Sequence, residues 1–225
     1  MITDCKKALL FYGPPGAGKG TQAERFATKY EFTHFDSGKF IEKLIHDPAL
    51  YKRSKVIAKQ RELFLSGKLC EPAWIGAEAK KRIKALSAEG KSLIMSGNPR
   101  TMEEAFELKG GGIVDLLIKE YGKENIFVVF IDIPVSESVE RNSKRGRPGL
   151  DEPAVIRVRC REYKAQTLPV IKEIKRRGIS VVKIDGKPSR GEVSKIILGE
   201  IKDFLKCRKL SLKKKSVSSK PRARS

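Results

Sequence analysis

Long apolar runs are missing from this chain. No stretch approaches the roughly 18 consecutive apolar residues of a membrane span. The apolar residues at 8–12 are too few for a secretory leader core and run straight into a glycine loop. Cysteine is scarce as well: Cys5, Cys70, Cys160 and Cys207 form no C-x-x-C pair, and with two histidines in the chain no His cluster stands near them. That argues against a zinc site and against a disulfide framework, and sets reduced thiols and a cytoplasmic location as the expectation. Acid is in deficit. Lys and Arg number 48 against 27 Asp and Glu, a net charge of +21; nine of the basic residues lie from Lys206 onward with no acid among them, leaving +12 on the rest. A basic body suits a partner that carries phosphates, although a generally basic soluble protein would have the same composition. What remains is ordinary: 40% hydrophobic residues, enough for a core, in 225 residues that fit one α/β domain with small insertions better than two full domains.

Short apolar runs alternate with longer amphipathic ones. Residues 8–12, 92–95, 126–133 and 179–184, rich in Val, Ile, Leu or Phe, read as strands, and His34-Phe35 adds a short fifth. Helical patterns fall at about 19–29, 38–46, 49–66, 72–88, 102–119, 135–145, 152–177 and 190–209. Strands separated by helices imply βαβ units and a parallel sheet. Residues 37–72 hold helices without a clear return strand and read as an insert. The turn-rich 145–152 reads as an exposed loop, and Gly110-Gly111-Gly112 breaks the helix after Lys109. The basic residues 206–225 are expected to be a disordered tail outside a single domain at 1–205.

The segment Gly13-Pro-Pro-Gly-Ala-Gly-Lys-Gly-Thr21 lies between the first strand and a helix, the setting a phosphate-binding loop requires. Its glycines let backbone N–H groups converge on an anion, and the helix N-terminus adds its dipole. Lys19 would reach the β- and γ-phosphates, and Thr21 supplies a hydroxyl near magnesium. Gly20 stands where the general motif has Ser or Thr.

The loop Gly13 to Gln22, with its extra Gly20, resembles that of adenylate kinases and related nucleoside monophosphate kinases. Further segments agree, in order: His34-Phe-Asp-Ser-Gly38; Gly67-Lys68-Leu69; Gly97-Asn-Pro-Arg-Thr101; Arg141, Arg145 and Arg147; the helix with Arg159, Tyr163, Thr167 and Pro169; and Ile184-Asp185-Gly186. The resemblance spans roughly residues 8–205. It implies a P-loop NTPase-like parallel sheet flanked by helices, with a small helical monophosphate-binding insert (37–72) and a short lid (141–152) of the kind that needs no zinc. It also implies phosphoryl transfer from ATP·Mg to a monophosphate. The donor would be held by Gly13, Gly16, Ala17, Gly18, Lys19, Gly20, Thr21, Arg141 and Arg145. The acceptor would meet Ser37, Lys39, Lys43, Lys68, Leu69, Cys70, Gly97, Arg100, Glu104, Arg147 and Arg159. Lys19, Arg100, Arg145, Arg147 and Arg159 would carry the catalysis, since planar guanidinium forks bind phosphate oxygens in pairs. Gly146 and Gly149 would give the lid its mobility.

The chain departs from the family on the acceptor side. Lys39 stands where an Asp is usual, and Glu42 where an Arg meets the acceptor's phosphate. A unit-charge pair at about 6 Å and an effective dielectric near 20 is worth roughly 3 kcal/mol, so the reversal costs about 5–6 kcal/mol unless Lys39 or Lys43 replaces the cation. Glu104 stands where Gln reads adenine; an ionised Glu only accepts hydrogen bonds and suits a base edge with two donors. Ser96 replaces an Asp that helps order magnesium's waters, leaving Asp36 and Asp132 as substitutes, and Asn98 replaces an aromatic. An active kinase with altered acceptor choice is therefore set beside two alternatives: a member that binds ATP with little transfer, and a P-loop protein holding RNA through its basic surface. The expected partners are ATP, a nucleoside monophosphate and a weak polyanion or RNA contact through the tail, with no membrane and a monomeric state.

Overall fold

A computed structural model describes residues 6–206; the expected tail, beyond Lys206, lies outside the described residues. In chain order the elements are β1 (Ala8–Tyr12), α1 (Lys19–Tyr30), β2 (Thr33–Asp36), α2 (Ser37–Ile45), α3 (Pro48–Tyr51), α4 (Lys55–Leu65), α5 (Pro72–Ala88), β3 (Leu93–Ser96), α6 (Ile113–Tyr121), β4 (Ile126–Asp132), α7 (Val135–Arg145), α8 (Pro153–Glu162), α9 (Leu168–Arg176), β5 (Ser180–Asp185) and α10 (Arg190–Leu205). The five strands form one sheet in the order β2-β3-β1-β4-β5, and every neighbouring pair is parallel. This is the P-loop NTPase-like α/β sheet that the sequence led us to expect.

β1 is central, and all five of its side chains are buried, as a continuous apolar run in a doubly covered parallel sheet must be. Its pleat divides the core. Ala8, Leu10 and Tyr12 face α5, α6 and α9, where they join Met95, Val128, Ile83, Leu117 and Val170. Leu9 and Phe11 face α1 and α10 with Ile94, Val129, Phe26, Ile197 and Ile201. A third apolar cluster lies under α2 to α4. It holds Ile41, Ile45, Phe64, Cys70 and Ile75, and Leu150 enters it from the turn after α7. β1, β2 and β3 end side by side, with Phe11 beside Ser96 and Asp36 beside Ser96, so their carboxyl ends open onto one edge.

Three helical expectations needed revision. The run at 49–66 is two helices, because Ser54 breaks it and its hydroxyl caps α4 by accepting from Ile57 N. The run at 102–119 is a π-helical turn at Glu103–Glu107 followed by α6; Gly110 and Gly111 turn between them, and Gly112 lies so close to Ala105 that a Cβ there would sit 1.9 Å from its carbonyl oxygen. The run at 152–177 continues unbroken from α8 to α9, but through a π-helical turn at Tyr163–Thr167. Pro169 has no N–H to give and its ring crowds the carbonyl four residues back, which the wider turn accommodates.

Candidate active site

The loop from Gly13 to Gly18 carries the chain from β1 into α1. Gly18 forms the N-cap with φ 89°, a left-handed conformation that other residues resist. Gly20, in the first turn, passes Asp36 at the end of β2; a Cβ at position 20 would stand 3.1 Å from Asp36 Oδ2. The extra glycine thus brings helix and carboxylate together. Asp36 also caps α2 by accepting from Lys39 N at 3.1 Å. Beneath the loop, Ser138 Oγ donates to Pro15 O at 2.6 Å. Lys19 folds back over it and donates from Nζ to Gly13 O (2.7 Å) and Pro14 O (2.8 Å). Burial pushes its ammonium down to about 7, and the charges of Arg100 and Arg159 press the same way.

Five cations crowd the same space. Arg100 leaves the Gly97–Thr101 turn; Arg145 ends α7; Arg147 follows in the turn; Arg159 projects from α8. Burial lowers Arg159 to about 10, with Arg100, Arg147 and Arg145 adding to the shift. One carboxylate organises three of them. Asp151, whose side chain is 1% exposed, accepts from Arg145 Nε (2.9 Å) and Nη2 (2.6 Å), from Arg147 N (3.0 Å) and Nη2 (3.4 Å), and stands 3.8 Å from Arg159 Nη1. Burial opposes its charge, but the bonds from Arg145 and the Arg147 amide overcome that and hold the carboxyl well below the usual range. Arg147 Nη1 also donates to Glu42 of α2. Arg141 is tied to Glu137 (2.6 Å) and to Lys187 O (3.2 Å).

These groups line a cleft of about 1120 Å³, walled by Gly16 to Thr21, Asp36, Lys39, Glu42, Ser96, Gly97, Arg100, Arg141, Arg145, Arg147, Arg159 and the segment 186–190. A smaller cavity of about 60 Å³ adjoins it, sharing Lys19, Gly97, Arg100 and Arg159 and adding Gly13, Lys68 and Leu69. The remaining candidates stand apart from both spaces. Ser37 is buried and donates to Ser96 O at 3.3 Å. Lys43 is exposed, and Cys70 belongs to the third apolar cluster. Asp132 pairs with Lys183 at 2.8 Å. Glu104 is turned inward: at 2% exposure its Oε2 accepts from Arg100 N (3.0 Å) and Asn98 Nδ2 (3.3 Å), and burial pushes its carboxyl up to about 7 against those bonds.

Sequence reasoning missed Asp151 and a hydrogen-bonded chain at the cleft wall. Ser96 Oγ lies 2.8 Å from His34 Nε2, and His34 Nδ1 lies 3.2 Å from Glu24 Oε2. A carboxylate can only accept, so Nδ1 carries a proton in this chain. The available signal was the pairing of β2 with β3, which sets His34 diagonal to Ser96. Among the described residues no three His, Cys, Asp or Glu side chains gather as a metal cage, and no helix is long and apolar enough to cross a membrane.

Comparison with known proteins follows the same lines. Residues 11–179 match the family model described as adenylate kinase. An adenylate kinase of Encephalitozoon cuniculi is 34% identical, over 82% of this chain and 92% of that protein. One from a Synechococcus strain is 33% identical over 76% of this chain and 85% of its own length, and one from Petrotoga mobilis 28% identical over 88% and 99%.

Proposed function

Because this chain belongs to the adenylate kinase family, and is thereby a nucleotide-binding phosphotransferase, we propose that its cleft moves a phosphoryl group reversibly from ATP·Mg to a nucleoside monophosphate, with AMP as the preferred acceptor. The observation that carries the reading is the convergence of Lys19, Arg100, Arg145, Arg147 and Arg159 on one wall of a cleft beside the glycine loop. Burial and neighbouring guanidinium charge lower the affinity of Lys19 and Arg159 for protons, which favours an anionic ligand in this space.

In this reading Gly16 to Thr21 cradle the donor's phosphates with backbone N–H groups, and Lys19 leaves its carbonyl partners to meet the β- and γ-oxygens. Arg141 and Arg145 flank the donor nucleotide. Arg100, Arg147 and Arg159 orient the acceptor phosphate and neutralise charge as it spreads over the transferred group. Little covalent chemistry falls to the protein, so positioning and preorganised charge supply the rate. Magnesium, which neutralises phosphate charge, arrives with ATP; Thr21, Asp36 and Ser96 are the side-chain oxygens this chain would offer around it. The residues 141–152 act as the lid that excludes water, and α2 to α4 as the acceptor-binding wall.

The test is ADP production with AMP, GMP, CMP and UMP in turn, beside a Lys19→Ala control. Turnover with AMP that the control loses supports the proposal. ATP binding without turnover on any of the four would overturn it in favour of a member that holds nucleotide and transfers little.

A further inference from the structure

Two carboxylates contact Arg147, and they differ in kind. Asp151 is enclosed, engaged by three arginines and by a backbone amide, and serves as a fixed brace. Glu42 is 24% exposed, lines the open cleft, and has Arg147 as its one ionic partner among the described residues. The pair joins segments 105 residues apart, α2 on one wall and the turn after α7 on the other. Beside it, Leu150 of the same turn enters the apolar cluster of Ile41, Ile45 and Phe64, so the turn rests on α2 through one apolar and one ionic contact.

Arg147 itself is incompletely used. Its Nη1 serves Glu42 and its Nη2 serves Asp151, while Nε is buried without a hydrogen-bond partner. The guanidinium is thus short of acceptors, and a phosphate in place of the carboxylate at Nη1 offers three oxygens and more charge. Both partners line the open cleft, so an incoming phosphate can reach the pair and exchange with the carboxylate.

We propose that Glu42 is an intramolecular competitor of the acceptor phosphate: its carboxylate occupies Arg147 until a phosphate dianion displaces it, and so sets how tightly the acceptor binds. Glu42 touches no reacting atom in this account and acts through Arg147. Its charge raises the acceptor's KM twice over, by engaging the arginine and by repelling the incoming dianion. A ligand with a weakly charged head group cannot displace it, so Glu42 also selects for a full phosphate monoester. The inference rests on the reading of the cleft as a phosphoryl-transfer site.

The experiment compares wild type with Glu42→Gln and Glu42→Ala. Removing one unit charge a few ångströms from a dianion should lower the KM for AMP, and its Kd by calorimetry without ATP, roughly 10- to 100-fold. Turnover at saturation and the KM for ATP should stay within about twofold. Gln keeps the shape of the side chain and Ala removes it, so a gain in both variants at unchanged melting temperature assigns the effect to charge. Unchanged or weaker AMP binding in both variants overturns the inference. If no monophosphate is turned over by any of the three proteins, the kinase reading fails separately, and inorganic phosphate becomes the calorimetric probe: tighter binding in both variants sustains the competitor role, equal binding removes it.

Discussion

Glu104 allows a quantitative test of the acceptor wall. It sits in the π-helical turn after the Gly97–Thr101 segment, 2% exposed, with Arg100 N and Asn98 Nδ2 donating to one oxygen. Burial lifts its carboxyl from 4.5 to about 7 even though Arg100 and Asn98 pull the other way. The sign of the effect on stability follows. Below about pH 4.5 the group is protonated both folded and unfolded and costs nothing. Between 4.5 and 7 the unfolded chain releases the proton while the folded chain keeps it, so stability falls by about 1.4 kcal/mol per pH unit. Above pH 7 the full penalty, about 3 kcal/mol, is in place. Glu104→Gln keeps the size and one acceptor oxygen for the two donors but cannot ionise. The variant should match wild type near pH 4.5 and exceed it by about 2–3 kcal/mol at pH 8, a rise of roughly 5–10 °C in melting temperature for a domain of this size. Urea unfolding at half-unit pH steps measures this. Parallel curves for the two proteins across the whole range would show that the carboxylate is not desolvated where it lies, and the reasoning would fail.

Two other consequences can be checked directly. Lys19, held near 7 in the free protein, regains its proton when a polyanion arrives, so ATP affinity should weaken above pH 7, by up to tenfold per unit, until the pH reaches the higher value that Lys19 has in the complex; calorimetry at pH 8 in buffers of different ionisation enthalpy should register about 0.9 proton taken up by this group, and Lys19→Arg, which stays charged, should abolish that share. Gly112→Ala should lower the melting temperature by more than 10 °C, because its methyl group would meet the Ala105 carbonyl at 1.9 Å and neither backbone can yield without breaking the turn; a shift under about 3 °C would mean that the turn is looser than described.

Much of the sheet was legible because it depends on local chemistry. The run Ala8–Tyr12 is apolar at every position, and the glycines after it leave little but a tight anion-cradling turn. β2 was harder: its four residues are mostly half-buried and carry a His and an Asp, so pattern alone found only His34-Phe35. The two π-helical turns were invisible, since one answers to the close approach of Gly112 and Ala105 and the other to Pro169 inside an otherwise uninterrupted helix. On the cleft the arginines could be named from their motifs, but not the acids that hold them. Asp151 looked like part of a turn, and only the fold brings it under three guanidinium groups. Glu42 pairs with Arg147 across the cleft, while Lys39, one of the two cations expected to replace the missing Arg, lies 3.5 Å from Glu24. Side-chain partners across 105 residues follow from tertiary packing and have no local sequence signal.

Leu150 gives the turn after α7 a thermal signature of its own. Lifting that turn off α2 would expose its side chain, together with the parts of Ile41 and Phe64 it covers, to water. Such exposure carries a positive heat capacity, and its cost shrinks as the temperature falls. The ionic contacts beside it obey another variable, weakening as added salt screens them. Cold and salt would therefore unfasten the same wall of the cleft through separate contacts, one apolar and one charged.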